Sequence, residues 1–330
     1  MKEKINVAII IPCYKSKNKI KFVISEILEV SAKLINKYNF KIYLVDDACP
    51  DESWKEIEPK NNIIILHRKK NGGCGAACID GMIKALRDKN DIFIKIDSDR
   101  QHSPFYLEEL IENIEDAPKS KLYFFKGSRY KLPQLNSGIP ISRRLGSLII
   151  EPIDRIVFGY KGLTDGVNGF IGMNRFSASF IFSERIKPSL KLNHLFQSSI
   201  IARCSNLDIQ IVEFPISAVY GDEWASSFSS YGMIIPIICF WISTLRKRIF
   251  YKYLLSFNFG TLWLLNFLFS FLFLIFINLW KNRSLIFSYP NLTLFSIFSL
   301  ILFFIYDYSK RKKIKRVIFY RFILEINNLI

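Results

Sequence analysis

Two apolar runs in the first hundred residues end in acidic residues: Ile42–Val45 leads into Asp46-Asp47, and Ile92–Ile96 into Asp97-Ser-Asp99-Arg-Gln101. Carboxylates at i and i+2 on a turn offer hard oxygen ligands to a divalent cation and leave positions for water and phosphate, and the Gln101 amide oxygen adds a third donor. That set suits a hard divalent cation carrying a nucleoside diphosphate. An isolated Asp-x-Asp is also an ordinary solvated turn, so its meaning depends on its surroundings. Here Pro12-Cys-Tyr14 follows the run Val7–Ile11, and Asn71-Gly-Gly73 follows Ile63–Leu66. Each of the first four runs therefore hands over to residues that could meet a ligand.

The elements that must position them follow from patterning. Short β-rich runs at Val7–Ile11, Ile42–Val45, Ile63–Leu66, Ile92–Ile96 and Leu122–Phe125 alternate with segments of helical spacing such as Ile20–Tyr38 and Ala76–Asp88. Alternating β and α implies a mostly parallel, doubly wound α/β sheet, in which ligands gather at the carboxyl ends of strands.

Charge and hydrophobicity divide the chain near residue 231. Of 330 residues, 46 are Lys or Arg and 29 Asp or Glu, a formal charge of +17 with 50% hydrophobic content. Such a chain can bury a core, which excludes a disordered tail or a collagen-like fibre. Residues 1–231 carry 33 basic and 27 acidic residues, whereas 232–330 carry 13 and 2, together with sixteen of the thirty Phe. Basic charge and Phe sharing one segment is the pattern of a membrane region with basic flanks. Leu254–Trp280 has no ionisable side chain in 27 residues, and Leu285–Tyr306 is likewise uncharged with Pro290 near its start. Both are long enough to span hydrocarbon; a very apolar buried hairpin is the competing reading. Arg246, Lys247, Arg248 and Lys252 on one flank and Lys310–Lys313 on the other, against two basic residues in the short loop Lys281–Ser284, put both ends on the cytoplasmic side. Met233–Leu245 is too short to span and reads as an interfacial helix. The expected organisation is a cytosolic domain over 1–231, a juxtamembrane helix over 232–252, two transmembrane helices over 253–308 and a basic cytoplasmic tail over 309–330. No signal peptide is expected, because Met1-Lys-Glu-Lys leads into a short run ending at Pro12. The six cysteines lack paired CxxC spacing and read as structural thiols.

Pro12-Cys-Tyr14, Val45-Asp-Asp-Ala-Cys-Pro-Asp51, Asn71-Gly-Gly-Cys-Gly-Ala-Ala77 and Asp97-Ser-Asp-Arg-Gln-His-Ser-Pro104 resemble, in order, the motifs of family-2 inverting glycosyltransferases of GT-A fold. With Gly127-Ser-Arg129 and Asp165-Gly-Val-Asn-Gly-Phe170 they look like the polyisoprenyl-phosphate branch, which includes dolichol-phosphate mannosyltransferases and bacterial undecaprenyl-phosphate sugar transferases. The motifs cover about residues 5–220; singly they are weak, jointly specific. The resemblance implies a Rossmann-like catalytic domain before a two-helix anchor, in the inner membrane of a bacterium. It implies that Asp46 and Asp47 bind the base and ribose of a nucleotide-sugar donor, lined by Pro12 and Tyr14. Asn71 and the turn through Gly75 would let backbone approach the nucleotide. Asp97, Asp99 and Gln101 would hold Mg2+ or Mn2+, and Asp99 and Arg129 would serve the reaction. Arg129, Arg143 and Arg144 would hold the acceptor phosphate, the two latter preceding an amphipathic helix Leu145–Phe158 that could lie on the membrane. His102 would pack or cap its turn. Homo-oligomers are common in the family.

The chain departs from the pattern at Lys15-Ser16, where Asn-Glu is usual, at Cys74 in place of a common Lys, and at Gly221-Asp-Glu-Trp-Ala-Ser-Ser-Phe228, which lacks the usual Arg, Gly and Lys. Glu213-Phe-Pro215 just upstream matches. A processive synthase would carry Gln-x-x-Arg-Trp, and Gln197-Ser-Ser-Ile200 does not. A dinucleotide fingerprint is absent from the first strand. Nucleic acid is not an expected partner, because net +6 on the front domain is modest. The alternatives kept are a family-2 transferase acting on a lipid-linked glycan and a non-catalytic membrane adaptor.

Overall fold

The computed structural model describes residues 3–118, 121–130, 141–182, 195–217, 232, 234–281 and 290–316. Its central strand β1 (Ile5–Cys13) is fully buried from Val7 onward. Burial on both faces is why its sequence is a continuous apolar run instead of an alternating one. α1 (Lys17–Lys33) follows, laying Ile20, Val23, Ile24, Ile27 and Val30 on one face of the sheet at helical spacing. β2 (Tyr38–Asp46) pairs in parallel with β1 through the register Cys13↔Asp46, and β3 (Ile63–His67) pairs in parallel with β2.

α2 (Cys74–Arg87) covers the opposite face with Ala77, Cys78, Met82 and Ala85. Gly81 permits its close approach, since a Cβ there would meet Ile10 at 2.7 Å and Val45 at 2.9 Å. β4 (Ile92–Lys95) flanks β1 on its other side, in parallel. α3 (Leu107–Glu115), β5 (Tyr123–Ser128), α4 (Ile141–Phe158), β6 (Tyr160–Lys161), β7 (Ile171–Asn174), α5 (Arg175–Ile181), α6 (Phe196–Asn206) and β8 (Gln210–Pro215) complete the domain. β7 runs antiparallel between β4 and β5, with Ile171 opposite Lys95. That insertion carries the segment before it, Asp165–Phe170, to the carboxyl end of β4.

Beyond the domain, α7 (Ile234–Ile249) packs on α4 and leaves Ile234, Ile235, Ile238 and Ile242 exposed. A π-helical turn over Phe250–Leu254 precedes α8 (Phe259–Lys281), and α9 (Pro290–Lys310) returns alongside it. The first long helix therefore begins five residues later than the uncharged run expected from Leu254. Asn258 caps it, its Oδ1 accepting the Gly260 N–H at 3.0 Å. Pro290 occupies the first helical position of α9, where its missing N–H costs nothing. Phe259–Ile277 and Pro290–Lys310, with mean hydropathy 2.2 and 1.7, are long and apolar enough to cross a membrane.

Two features stitch these helices to the domain. Arg248 on α7 donates to both Asp307 oxygens on α9, at 2.8 and 3.1 Å, and to the Ile156 carbonyl of α4 at 2.8 Å. After α9, β9 (Lys312–Lys313) pairs with β6, and β10 (Lys315–Arg316) pairs in parallel with β8. Within the basic tail expected over 309–330, residues 312–316 join the domain's sheets, and Ile314 is buried. The described strands of the main sheet run β10-β8-β5-β7-β4-β1-β2-β3.

Candidate functional site

The carboxyl ends of β1, β2, β4 and β5 meet above the middle of the sheet. Past β4, Ser98 is buried and shares a 2.7 Å hydrogen bond with Ser16, the residue before α1. This bond pins the turn between Asp97 and Asp99. Asp99 accepts the Gln101 N–H at 3.0 Å. Arg100 takes φ +67° and reaches outward to Glu26 at 3.2 Å. Gln101 is half-buried beside the pair.

The two carboxylates are electrically unequal. Burial raises the Asp99 pKa, and the neighbouring charge of Asp97 raises it further. Burial would raise Asp97 too, but the Lys95 ammonium, the largest opposing influence, holds Asp97 below its ordinary value. Lys95 is wholly buried and its ammonium contacts Asp97 Oδ1. His102 Nδ1 lies 3.5 Å from Asp97 Oδ2, and its ring stacks on Phe170 at 5.5 Å. Burial lowers its pKa to about 4, so the imidazole is neutral. His102 therefore packs against the site as expected.

The residue set fits a hard divalent cation. Asp97, Asp99 and Gln101 are all oxygen donors, and Gly169 packs against Asp97, where a Cβ would collide with both Asp97 Oδ2 and Lys95 Nζ. Among the described residues no group of three His, Cys, Asp or Glu forms a complete cage, so a cation here needs further ligands from a phosphate or water.

Other expected positions take different tasks. Asp47 is buried and accepts the Gly72 and Gly73 N–H groups at 3.0 and 2.8 Å, with Arg68 on the same carboxylate. Its side chain shapes the Gly-rich turn. Asn71 supports the same turn, its Nδ2 donating to the Asp47 carbonyl at 3.3 Å, and Gly73 takes φ +84° ahead of α2. Gly75 is buried in the first turn of that helix. Asp46, also buried, accepts the Cys49 N–H at 3.0 Å and lies 3.1 Å from His67 Nδ1. Pro12 is buried in β1, and Tyr14 is exposed just beyond it.

Arg129 is not a free cation. At 7% exposure it grips Asp165 with Nε at 2.8 Å and Nη2 at 2.7 Å. Beneath them, buried Lys126 donates to the Asp165 carbonyl at 2.7 Å, and buried Glu213 accepts from Thr164 N and Oγ1 at 2.9 Å. The Glu213-Phe-Pro215 match thus marks a strand that fixes the Thr164-Asp165 loop. Arg143 and Arg144 lie within α4 instead of before it; Arg144 is half-buried, and the Arg143 side chain lies outside the described residues, as does the stretch 221–228.

Sequence reasoning passed over Asp154. It is buried on α4, accepts Trp241 Nε1–H at 2.8 Å, and its Oδ2 lies where a Cβ at Gly166 would stand 2.7 Å away. Burial raises its pKa to about 7. The available signal was the acidic Glu151 and Asp154 at i, i+3 within the apolar second half of the helix.

Comparison with known proteins agrees with this architecture. The family model "Glycosyl transferase family 2" matches residues 8–182. A UDP-N-acetylglucosamine–dolichyl-phosphate N-acetylglucosaminyltransferase of Methanococcus voltae is 27% identical over 229 residues, covering 64% of this chain and 85% of that protein. A dolichol-phosphate mannosyltransferase of Pyrococcus furiosus is 28% identical over 173 residues, covering 51% of this chain and 46% of the relative. Among solved structures, glucosyl-3-phosphoglycerate synthase from Mycobacterium tuberculosis with Mn2+, UDP and phosphoglyceric acid aligns with TM-score 0.48 and 12% identity, over 74% of this chain and 78% of the other. With a family model spanning more than half its length and a mostly parallel sheet of GT-A type, the chain belongs to glycosyl transferase family 2 and is a glycosyltransferase.

Proposed function

We propose that the protein transfers one sugar from a nucleotide-sugar donor to a polyisoprenyl phosphate, with inversion at C1, at the cytoplasmic face of a membrane. In a bacterial inner membrane the acceptor would be undecaprenyl phosphate and the product would feed surface-glycan or lipopolysaccharide modification. The observation that carries this reading is the Asp97/Asp99 pair at a sheet end on a domain stitched by Arg248–Asp307 to two long apolar helices. The dolichyl-phosphate acceptors named for the relatives support the lipid class.

Asp97, Asp99 and Gln101 would hold Mg2+ or Mn2+, which supplies Lewis-acid neutralisation of the leaving diphosphate. The protein's own contribution is positioning. The Asp47-clamped turn at Gly72-Gly73 brings backbone to the donor, and Gly169 lets the 165–170 loop pack against Asp97. A lipid phosphate is already ionised at neutral pH, so its oxygen attacks without a strong general base. Arg129, paired with Asp165, fixes the wall of the site, and Arg143 and Arg144 would supply positive charge for the acceptor phosphate. Exposed Leu145, Leu148 and Ile149 on α4 and Ile235 and Ile242 on α7 suit the headgroup boundary.

The test is to incubate membranes bearing the protein with undecaprenyl or dolichyl phosphate, Mg2+ or Mn2+, and a panel of UDP-, GDP- and dTDP-sugars. Label should enter the lipid from one donor. Label that enters only a glycan or soluble acceptor contradicts the acceptor assignment.

A further inference from the structure

Lys95 is a buried cation inside a strand whose other residues are apolar. Strand alternation puts its side chain on the same sheet face as Phe93, beneath α2, and it is 0% exposed. Its ammonium contacts Asp97 Oδ1 and lies against the Cα of Gly169. Among the described residues, Asp97 is the carboxylate that the Lys95 ammonium contacts. Asp97 is therefore its counterion, and a buried ammonium does not readily give up its carboxylate.

This pairing alters what the site offers a cation. One Asp97 oxygen is occupied, and Lys95 cancels one of the two carboxylate charges, leaving the trio Lys95, Asp97 and Asp99 at net −1. We propose that Lys95 is a positioning residue that fixes Asp97 and makes the site take up a divalent cation only together with a nucleoside diphosphate, whose phosphates bring the missing negative charge and oxygen ligands. The inference rests on reading Asp97 and Asp99 as cation ligands.

The experiment is a titration of the full-length protein in detergent with Mn2+, following free Mn2+ by electron paramagnetic resonance, with and without UDP or GDP. In the wild type, one nucleotide should tighten Mn2+ binding by about tenfold or more, the scale of one nearby charge. Lys95→Met should bind Mn2+ alone about tenfold more tightly than wild type, and Lys95→Arg should restore the nucleotide requirement. Equal affinity for Mn2+ alone in wild type and Lys95→Met overturns the proposal. If Lys95→Met does not fold, the wild type decides: Mn2+ bound as tightly without nucleotide as with it overturns the proposal too. Absence of Mn2+ binding in every arm contradicts the cation-site reading beneath it.

Discussion

Arg129 and Asp165, 36 residues apart, form a closed pair: Nε and Nη2 each donate to a different carboxylate oxygen, and the Arg129 backbone N–H adds a third bond at 2.9 Å. The pair ties the end of β5 to the loop before β7, the two segments that wall the site beside Asp97. Burial would raise the Asp165 pKa, but Arg129 reverses this and holds it low.

Breaking this pair from one side leaves a buried guanidinium uncompensated. Asp165→Asn should therefore lower stability by about 3–5 kcal/mol, read as thermal unfolding in detergent. Arg129→Lys should not restore wild-type behaviour, because an ammonium cannot make the two-pronged contact. Wild-type stability in Asp165→Asn would show that the pair is dispensable.

Asp47 accepts the Gly72 and Gly73 N–H groups, and in the proposed function it acts on the donor through that turn. Asp47→Ala leaves two amides without their acceptor and should cost about 1–3 kcal/mol while raising the KM for the nucleotide sugar more than it lowers kcat. Asp47→Asn, which keeps one acceptor oxygen, should lie between. A pure kcat effect would argue for direct participation in the reaction instead.

The strand ends were legible because buried parallel strands write themselves as apolar runs, and the residue types after them stand out against such runs. What those side chains touch was not legible. The resemblance implies a nucleoside contact for Asp47, but not that it also accepts the Gly72 and Gly73 N–H groups from the turn after β3. Arg129 looked like a free phosphate grip, but its partner arrives only through the antiparallel insertion of β7. Lys95 was hidden inside a run read as apolar, and it interacts with the region of Cys74, where the motif order led one to look for a cation. The return of residues 312–316 to the sheet was invisible too, since a two-residue pairing leaves no periodicity.

Asp154 should make stability depend on pH. Its folded pKa, about 7, lies above its ordinary value of 3.8, so the folded state holds a proton that the unfolded state releases. Its contribution is fully present below pH 4 and is lost as pH rises to about 7, at up to about 1.4 kcal/mol per pH unit. Comparing melting temperatures at pH 5 and pH 7, the wild type should lose more stability than Asp154→Asn over that interval. Parallel behaviour of the two proteins would contradict the buried protonated state.

The Arg248–Asp307 bond predicts mechanical coupling between helices and domain. Asp307→Asn should lower the unfolding temperature of the whole protein, with a cost of about 3–5 kcal/mol, and Ile314→Asp should expose the segment after Lys310 to limited proteolysis. A tail equally protected in Ile314→Asp would mean that strands β9 and β10 do not hold it.

The most direct test of the central claim is transfer of radiolabelled sugar into organic-soluble, polyisoprenyl-phosphate-linked product by wild type, Asp97→Asn and Asp99→Asn at matched folded protein. Label should appear in the lipid with the wild type, require added Mg2+ or Mn2+, and fall by about 100-fold or more in either variant, the scale of losing a main electrostatic contribution to a transition state. Undiminished lipid labelling by both variants would contradict the account.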